Sequence, residues 1–175
     1  LPSGVSSKIE RIVTFAGDRD EAGQGDAITV TLTDEIDVSR GDLLVGVGNQ
    51  PNISHDIDAM IVWMAEPTLE AGRQYLLQSV SGLSGASVTT INYRVDVNTL
   101  EHVTADKLLL NEIGCCAITV DRALVFDPYS KNRQTGSFVL IDRMNNSTLA
   151  GGMILGASSS WVSQIGALKF KQPPF

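Results

Sequence analysis

Apolar and polar residues alternate along most of this chain with the two-residue period of a half-buried β-strand. The pattern predicts strands over residues 9–15, 27–32, 43–47, 57–64, 73–78, 88–97, 113–120, 124–126, 138–142 and 149–155. Most of these runs are rich in Val, Ile and Thr and are bounded by Gly, Asn, Asp or Pro. The run Ile57-Asp58-Ala59-Met60-Ile61-Val62-Trp63-Met64 begins in alternation and ends continuously apolar, as expected of a strand covered on both faces. No window holds a convincing amphipathic helix longer than about three turns, although residues 107–110 suit a short helical turn. Many short strands joined by turns predict an all-β fold of barrels or a sandwich.

The segment Gly48-Asn49-Gln50-Pro51-Asn52-Ile53-Ser54 has no periodicity and carries a proline among turn formers. It divides the chain into a first unit at 1–48, a linker at 49–55, a second unit at 56–155 and a tail at 156–175. No internal repeat is present.

Charge narrows the function classes. Thirteen basic residues against 20 acidic ones leave a net charge of −7. This argues against nucleic-acid binding, which depends on neutralising phosphates with Lys and Arg. No apolar run is long enough to span a bilayer as a helix, and no secretory signal pattern opens the sequence. Cys115 and Cys116 are adjacent, so on a strand their thiols diverge and do not suit a mutual disulfide. Only His55 and His102 are available as imidazole ligands, too few to read the pair as a metal site. Reduced, structural cysteines in a cytoplasmic protein are the expectation.

The remaining chemical signals are weak. Arg40-Gly41-Asp42 reads as a turn between strands. Asp18-Arg19-Asp20-Glu21 offers three carboxylates beside an arginine, fewer oxygens than Ca²⁺ requires. Asp34, Glu35 and Asp37 form a surface turn with Arg40 as the expected salt partner. Asn52-Ile53-Ser54 and Asn146-Ser147-Thr148 fit the glycosylation pattern but suit a linker and a hairpin turn. No nucleophile motif accompanies either histidine. Tyr129 and Arg133 are of types favoured as interface anchors; equally, Tyr129 can pack its ring while Arg133 stays in water.

Three groups of segments carry a resemblance. The first holds Leu1-Pro2-Ser3-Gly4, then Ile9-Glu10-Arg11-Ile12-Val13-Thr14-Phe15-Ala16-Gly17-Asp18 and the signature Asp34-Glu35-Ile36-Asp37-Val38-Ser39-Arg40-Gly41-Asp42. The second is Val62-Trp63-Met64-Ala65-Glu66-Pro67-Thr68-Leu69 followed by Gly72-Arg73-Gln74-Tyr75. The third includes Asn92-Tyr93-Arg94-Val95-Asp96, Phe126-Asp127-Pro128-Tyr129 and Asn132-Arg133-Gln134-Thr135-Gly136-Ser137-Phe138-Val139-Leu140-Ile141-Asp142. In this order they resemble the GTP-binding subunit (subunit 1) of bacterial sulfate adenylyltransferase, a relative of translation elongation factors. The Thr-Gly-x-Phe-x-x-x-Asp core is common to translation GTPases. The 34–42 and 127–132 segments are more particular to the sulfate-activating branch.

The resemblance implies two translation-factor-like β-barrels, the first lacking its N-terminal strands, in a chain that is a fragment. It implies that the parent protein binds GTP and Mg²⁺ in an upstream GTPase domain and couples GTP hydrolysis to making adenylylsulfate and pyrophosphate from ATP and sulfate. A separate catalytic subunit performs that transfer. No G-x-x-x-x-G-K-[ST] or Asn-Lys-x-Asp motif occurs here, so the chain itself is expected to hold no catalytic, cofactor or metal residues. Its expected partners are the catalytic subunit and its own GTPase domain, with Tyr129 and Arg133 as candidate interface residues. Open strand edges in the first barrel raise the prospect of a strand-exchanged dimer through residues 161–170. An adenylylsulfate kinase domain follows the barrels in some members of the resembled family. The alternatives are a free-standing β-barrel binding module of the same ancestry, or translation-factor domains II and III.

Overall fold

The computed structural model describes residues 3–158. They divide into two compact units between Leu44 and Val45. The first unit contains β1 (Ile9–Thr14), β2 (Gly17–Arg19) and β3 (Thr29–Leu32), an antiparallel sheet in the order β2-β1-β3. Gly17, at φ 116°, makes the tight reversal between β1 and β2. No described residue of this unit is buried.

The second unit contains β4 (Asn52–Trp63), β5 (Leu69–Glu70), β6 (Gln74–Ser79), β7 (Gly82–Val95), β8 (His102–Val103), β9 (Lys107–Leu108), β10 (Ile113–Phe126), β11 (Ser137–Ile141) and β12 (Thr148–Ala157). Strands pair antiparallel in the order β10-β4-β12-β11-β6-β7, and β7 pairs back to β10 to close the barrel. Closure leaves those six strands without a free edge. The fold is all-β, as the alternation predicts.

Alternation decides which side chains fill the barrel. Ile57, Ala59, Ile61 and Trp63 of β4 point inward, meeting Tyr75 and Leu77 of β6, Ile118 and Phe126 of β10, and Phe138 and Leu140 of β11. Trp63 and Tyr75 meet edge to face with centroids 5.9 Å apart. The Trp63 indole donates to Pro67 O at 2.8 Å, tying the chain just past the end of β4.

Several expectations are corrected. Residues 43–47 form no strand, and Val47 is almost fully exposed. Residues 107–110 do not form a helical turn; Leu108 is buried and pairs with Leu69 in the β5–β9 ladder. Runs 113–120 and 124–126 are one strand, β10, with a register shift between Thr119 and Leu124. Residues 52–55, assigned to a linker, belong to β4, because Asn52, Ile53 and Ser54 pair with Phe126, Val125 and Leu124. The β12 strand reaches Ala157, into the segment set aside as a tail. The exchangeable strand expected at 161–170 lies outside the described residues.

Candidate protein-interface site

The loop between β10 and β11 carries Tyr129 and Arg133. Pro128 has no N–H to extend the β10 ladder, and the chain turns: Pro128 O accepts from Lys131 N at 2.8 Å and from Asn132 N at 3.0 Å. Asn132 O accepts from Gly136 N at 2.9 Å. The loop is then fixed to the barrel, since Tyr129 N donates to Ile154 O and Ile154 N to Gly136 O, both at 2.8 Å. Asp127 serves as the clasp. Its backbone N donates to Thr135 Oγ1 at 3.3 Å, one carboxylate oxygen accepts from that hydroxyl at 3.3 Å, and the other accepts from Lys131 Nζ at 2.7 Å.

This gives the Thr-Gly-x-Phe sequence a physical meaning. Thr135 closes on Asp127, Gly136 passes against the Tyr129 backbone, and Phe138 enters the core with its ring over Gly152. The bound loop leaves Tyr129 half-buried and Arg133 exposed, with the guanidinium carbon 5.9 Å from the ring centroid. The ring is partly packed, and the cation sits over it. Such a pair presents an aromatic plane and a positive charge side by side.

The other candidates stay apart. His55 lies in β4 with Nδ1 3.0 Å from Val120 O, whereas His102 in β8 stacks on Tyr93 at 3.8 Å and 14°. Among the described residues no group of three His, Cys, Asp or Glu side chains could hold a metal ion. The expected Arg40 salt bridge is absent among the described residues. Instead Asp34 accepts from Ser7 Oγ at 2.7 Å, and Arg11 pairs with Asp18 at 2.7 Å. Gly41, at φ 99°, and the contact of Ser39 N with Asp42 Oδ2 at 2.8 Å form the turn expected of Arg40-Gly41-Asp42. Cys115 and Cys116 are buried and unbonded; Cys116 faces the core, while Cys115 lies 3.7 Å from Asn92 Nδ2.

Asp58 escaped the sequence-level reading. On the outer wall of the barrel it is almost fully buried, and it accepts from Ser158 Oγ at 3.0 Å. Burial pushes its carboxyl above the ordinary value, and hydrogen bonds from Ser158 and Asn92 oppose the shift. Its signal was present as the single charge inside Ile57-Asp58-Ala59, but what covers it arrives from a hundred residues away. Leu100 also went unnoticed: its φ of 60° places a bulky side chain in a conformation usual for Gly or Asn.

Comparisons with known proteins align with this geometry. Residues 56–155 match the family described as GTP-eEF1A C-terminal domain-like. The chain is 48% identical over 157 residues to sulfate adenylyltransferase subunit 1 of Psychromonas ingrahamii, covering 90% of this chain and 34% of that relative. It is 47% identical over 153 residues to the bifunctional enzyme NodQ of Azospirillum brasilense, covering 87% of this chain and 25% of NodQ. The chain spans about a third of the length of the sulfate adenylyltransferase relatives it matches. Among solved structures, that of sup35 complexed with GDP superposes with a TM-score of 0.72 at 13% identity, over 90% of this chain and 39% of that one. At that identity the likeness concerns the fold alone.

Proposed function

This chain belongs to the GTP-eEF1A C-terminal domain-like family, and from that premise we propose that it is the non-catalytic barrel region of a sulfate-activating GTPase subunit. In this reading the parent protein binds GTP and Mg²⁺ in a domain outside this sequence. It couples GTP hydrolysis to the formation of adenylylsulfate and pyrophosphate by a separate catalytic subunit in the cytoplasm. The barrels carry the nucleotide state of the GTPase domain to that subunit. The observation that carries the reading is the 48% identity to sulfate adenylyltransferase subunit 1. Its 157 aligned residues exceed the second unit alone, so the likeness extends into the first.

A closed barrel suits such work. Its strands share one core and no free edge, so a push at one end moves the unit as a body. Tyr129 and Arg133 are the anchors assigned to partner contact, because the Asp127–Thr135 clasp holds them ready. The test is reconstitution of the full-length protein with the purified catalytic subunit. A stable complex with GTP-dependent adenylylsulfate synthesis is expected, and Tyr129→Ala with Arg133→Ala should weaken the complex by about tenfold. Failure of the wild-type proteins to associate sinks the reading.

A further inference from the structure

The opposite end of the barrel, where β4 and β7 finish and β10 begins, carries a second and different surface. Met64, Val97, Leu100, Leu109 and Leu110 are all exposed there, Leu100 by 74%. They lie on neighbouring turns: Asn111 N donates to Trp63 O at 2.8 Å, and Asn111 shares a cleft of about 160 Å³ with Arg94, Asp96 and Val97. Exposed apolar side chains gathered on neighbouring turns mark interaction sites more often than scattered ones do.

The loop from β7 to β8 makes the apolar display costly. Asp96 N donates to Glu101 O at 2.9 Å and Leu100 N to Asp96 O at 2.7 Å, closing a turn whose left-handed position is filled by Leu100 at φ 60°. Gly or Asn takes that conformation with less strain. A leucine is held there against strain with most of its side chain in water.

Charge states what fits. Arg94 is neutralised by Glu112 at 2.7 Å. Asp96 accepts from Asn98 N and Thr99 N, contacts that favour its ionised form, and exposed Glu101 lies beside it. The loop therefore offers leucine and valine beside the carboxylates of Asp96 and Glu101, which outnumber the one nearby cation among the described residues, Arg94, once Glu112 is paired with it. We propose that this end of the barrel is a docking surface for a partner protein segment bearing apolar side chains flanked by lysine or arginine. The inference rests on the subunit-contact reading above and adds a second contact face, distinct from the Tyr129–Arg133 loop.

The test uses the full-length protein and its purified catalytic subunit, with affinity measured by calorimetry for wild type, Leu100→Asn and Leu110→Asp. Asn suits the left-handed turn, so Leu100→Asn keeps the loop while removing the apolar group. Each variant is expected to bind about tenfold or more weakly at a melting temperature no lower than that of wild type. Wild-type affinity should fall as salt rises, as screened charge pairs require. If wild type binds and both variants bind equally well, the docking surface is wrong while the subunit-contact reading stands. Failure of wild type to bind overturns both. A lowered melting temperature in both variants shows the patch covered by the chain's own residues, and a wild-type self-dimer dissolved by the variants assigns it to a second copy; either result overturns the proposal.

Discussion

A methyl group on the Cα of Gly136 would stand 2.5 Å from the Tyr129 Cα and 2.7 Å from Asp127 O. The obstructing atoms are backbone, held by the hydrogen bonds of Tyr129 N and Gly136 N, and cannot swing aside as a side chain end does. Gly136→Ala should destabilise the second unit by about 1–3 kcal/mol and displace the Tyr129–Arg133 pair. Urea denaturation checks the first effect; partner affinity checks the second. An unchanged midpoint would mean the loop is not held as described.

Tyr75 is fully buried, and its hydroxyl has no hydrogen-bond partner among the described residues. A buried polar group left unpaired costs about 1–3 kcal/mol. The edge-to-face contact with Trp63 and the Arg73 guanidinium 5.6 Å from the ring centroid do not require the oxygen. Tyr75→Phe should therefore raise stability by about 1 kcal/mol. A loss on chemical denaturation would show that the hydroxyl is satisfied.

Asp58 sets a pH dependence with a definite sign. Its folded-state carboxyl lies above the ordinary value of 3.8, so near that pH the folded chain keeps a proton that the unfolded chain releases. Its contribution to stability falls as pH rises from about the ordinary value through the raised one. Asp96 and Asp142, held low by backbone N–H groups, act in the opposite sense, losing their contribution as pH falls. Asp58→Asn should raise the melting temperature at neutral pH, with the difference disappearing in acid. A gain that persists undiminished in acid would exclude desolvation of the carboxylate as its source.

Both cysteines should resist labelling. Burial pushes the Cys115 thiol up and the Cys116 thiol up to about 12, so neither supplies much thiolate at neutral pH. Modification by a disulfide reagent should be slow in the native protein and complete in denaturant. Rapid native labelling of Cys115 would show that the cover over Cys115 opens.

The limits of sequence reading fall at particular residues. Ile57, Ala59, Ile61 and Trp63 alternate visibly, and their inward direction follows from the pleat alone. The turn at Arg40-Gly41-Asp42 was likewise legible, because Gly and Asp close turns with local atoms. Residues 43–47 have the same apolar character as a strand yet form none, since a strand exists only where a second strand meets it. Residues 52–55 erred the other way: their strand is made by Leu124, Val125 and Phe126, seventy residues on.

The sequence by itself determined the all-β class, the inward faces of the long strands, the turn chemistry and, through its motifs, the family. Those properties reside in spacing and residue type over a few positions. Tertiary structure alone decided that six strands close into a barrel, that Asp58 is buried beneath Ser158, that Arg133 lies over Tyr129, and that Leu100 is held out in solvent. Each depends on groups brought together from distant parts of the chain, and burial, pairing and charge environment are properties of that meeting, not of any segment.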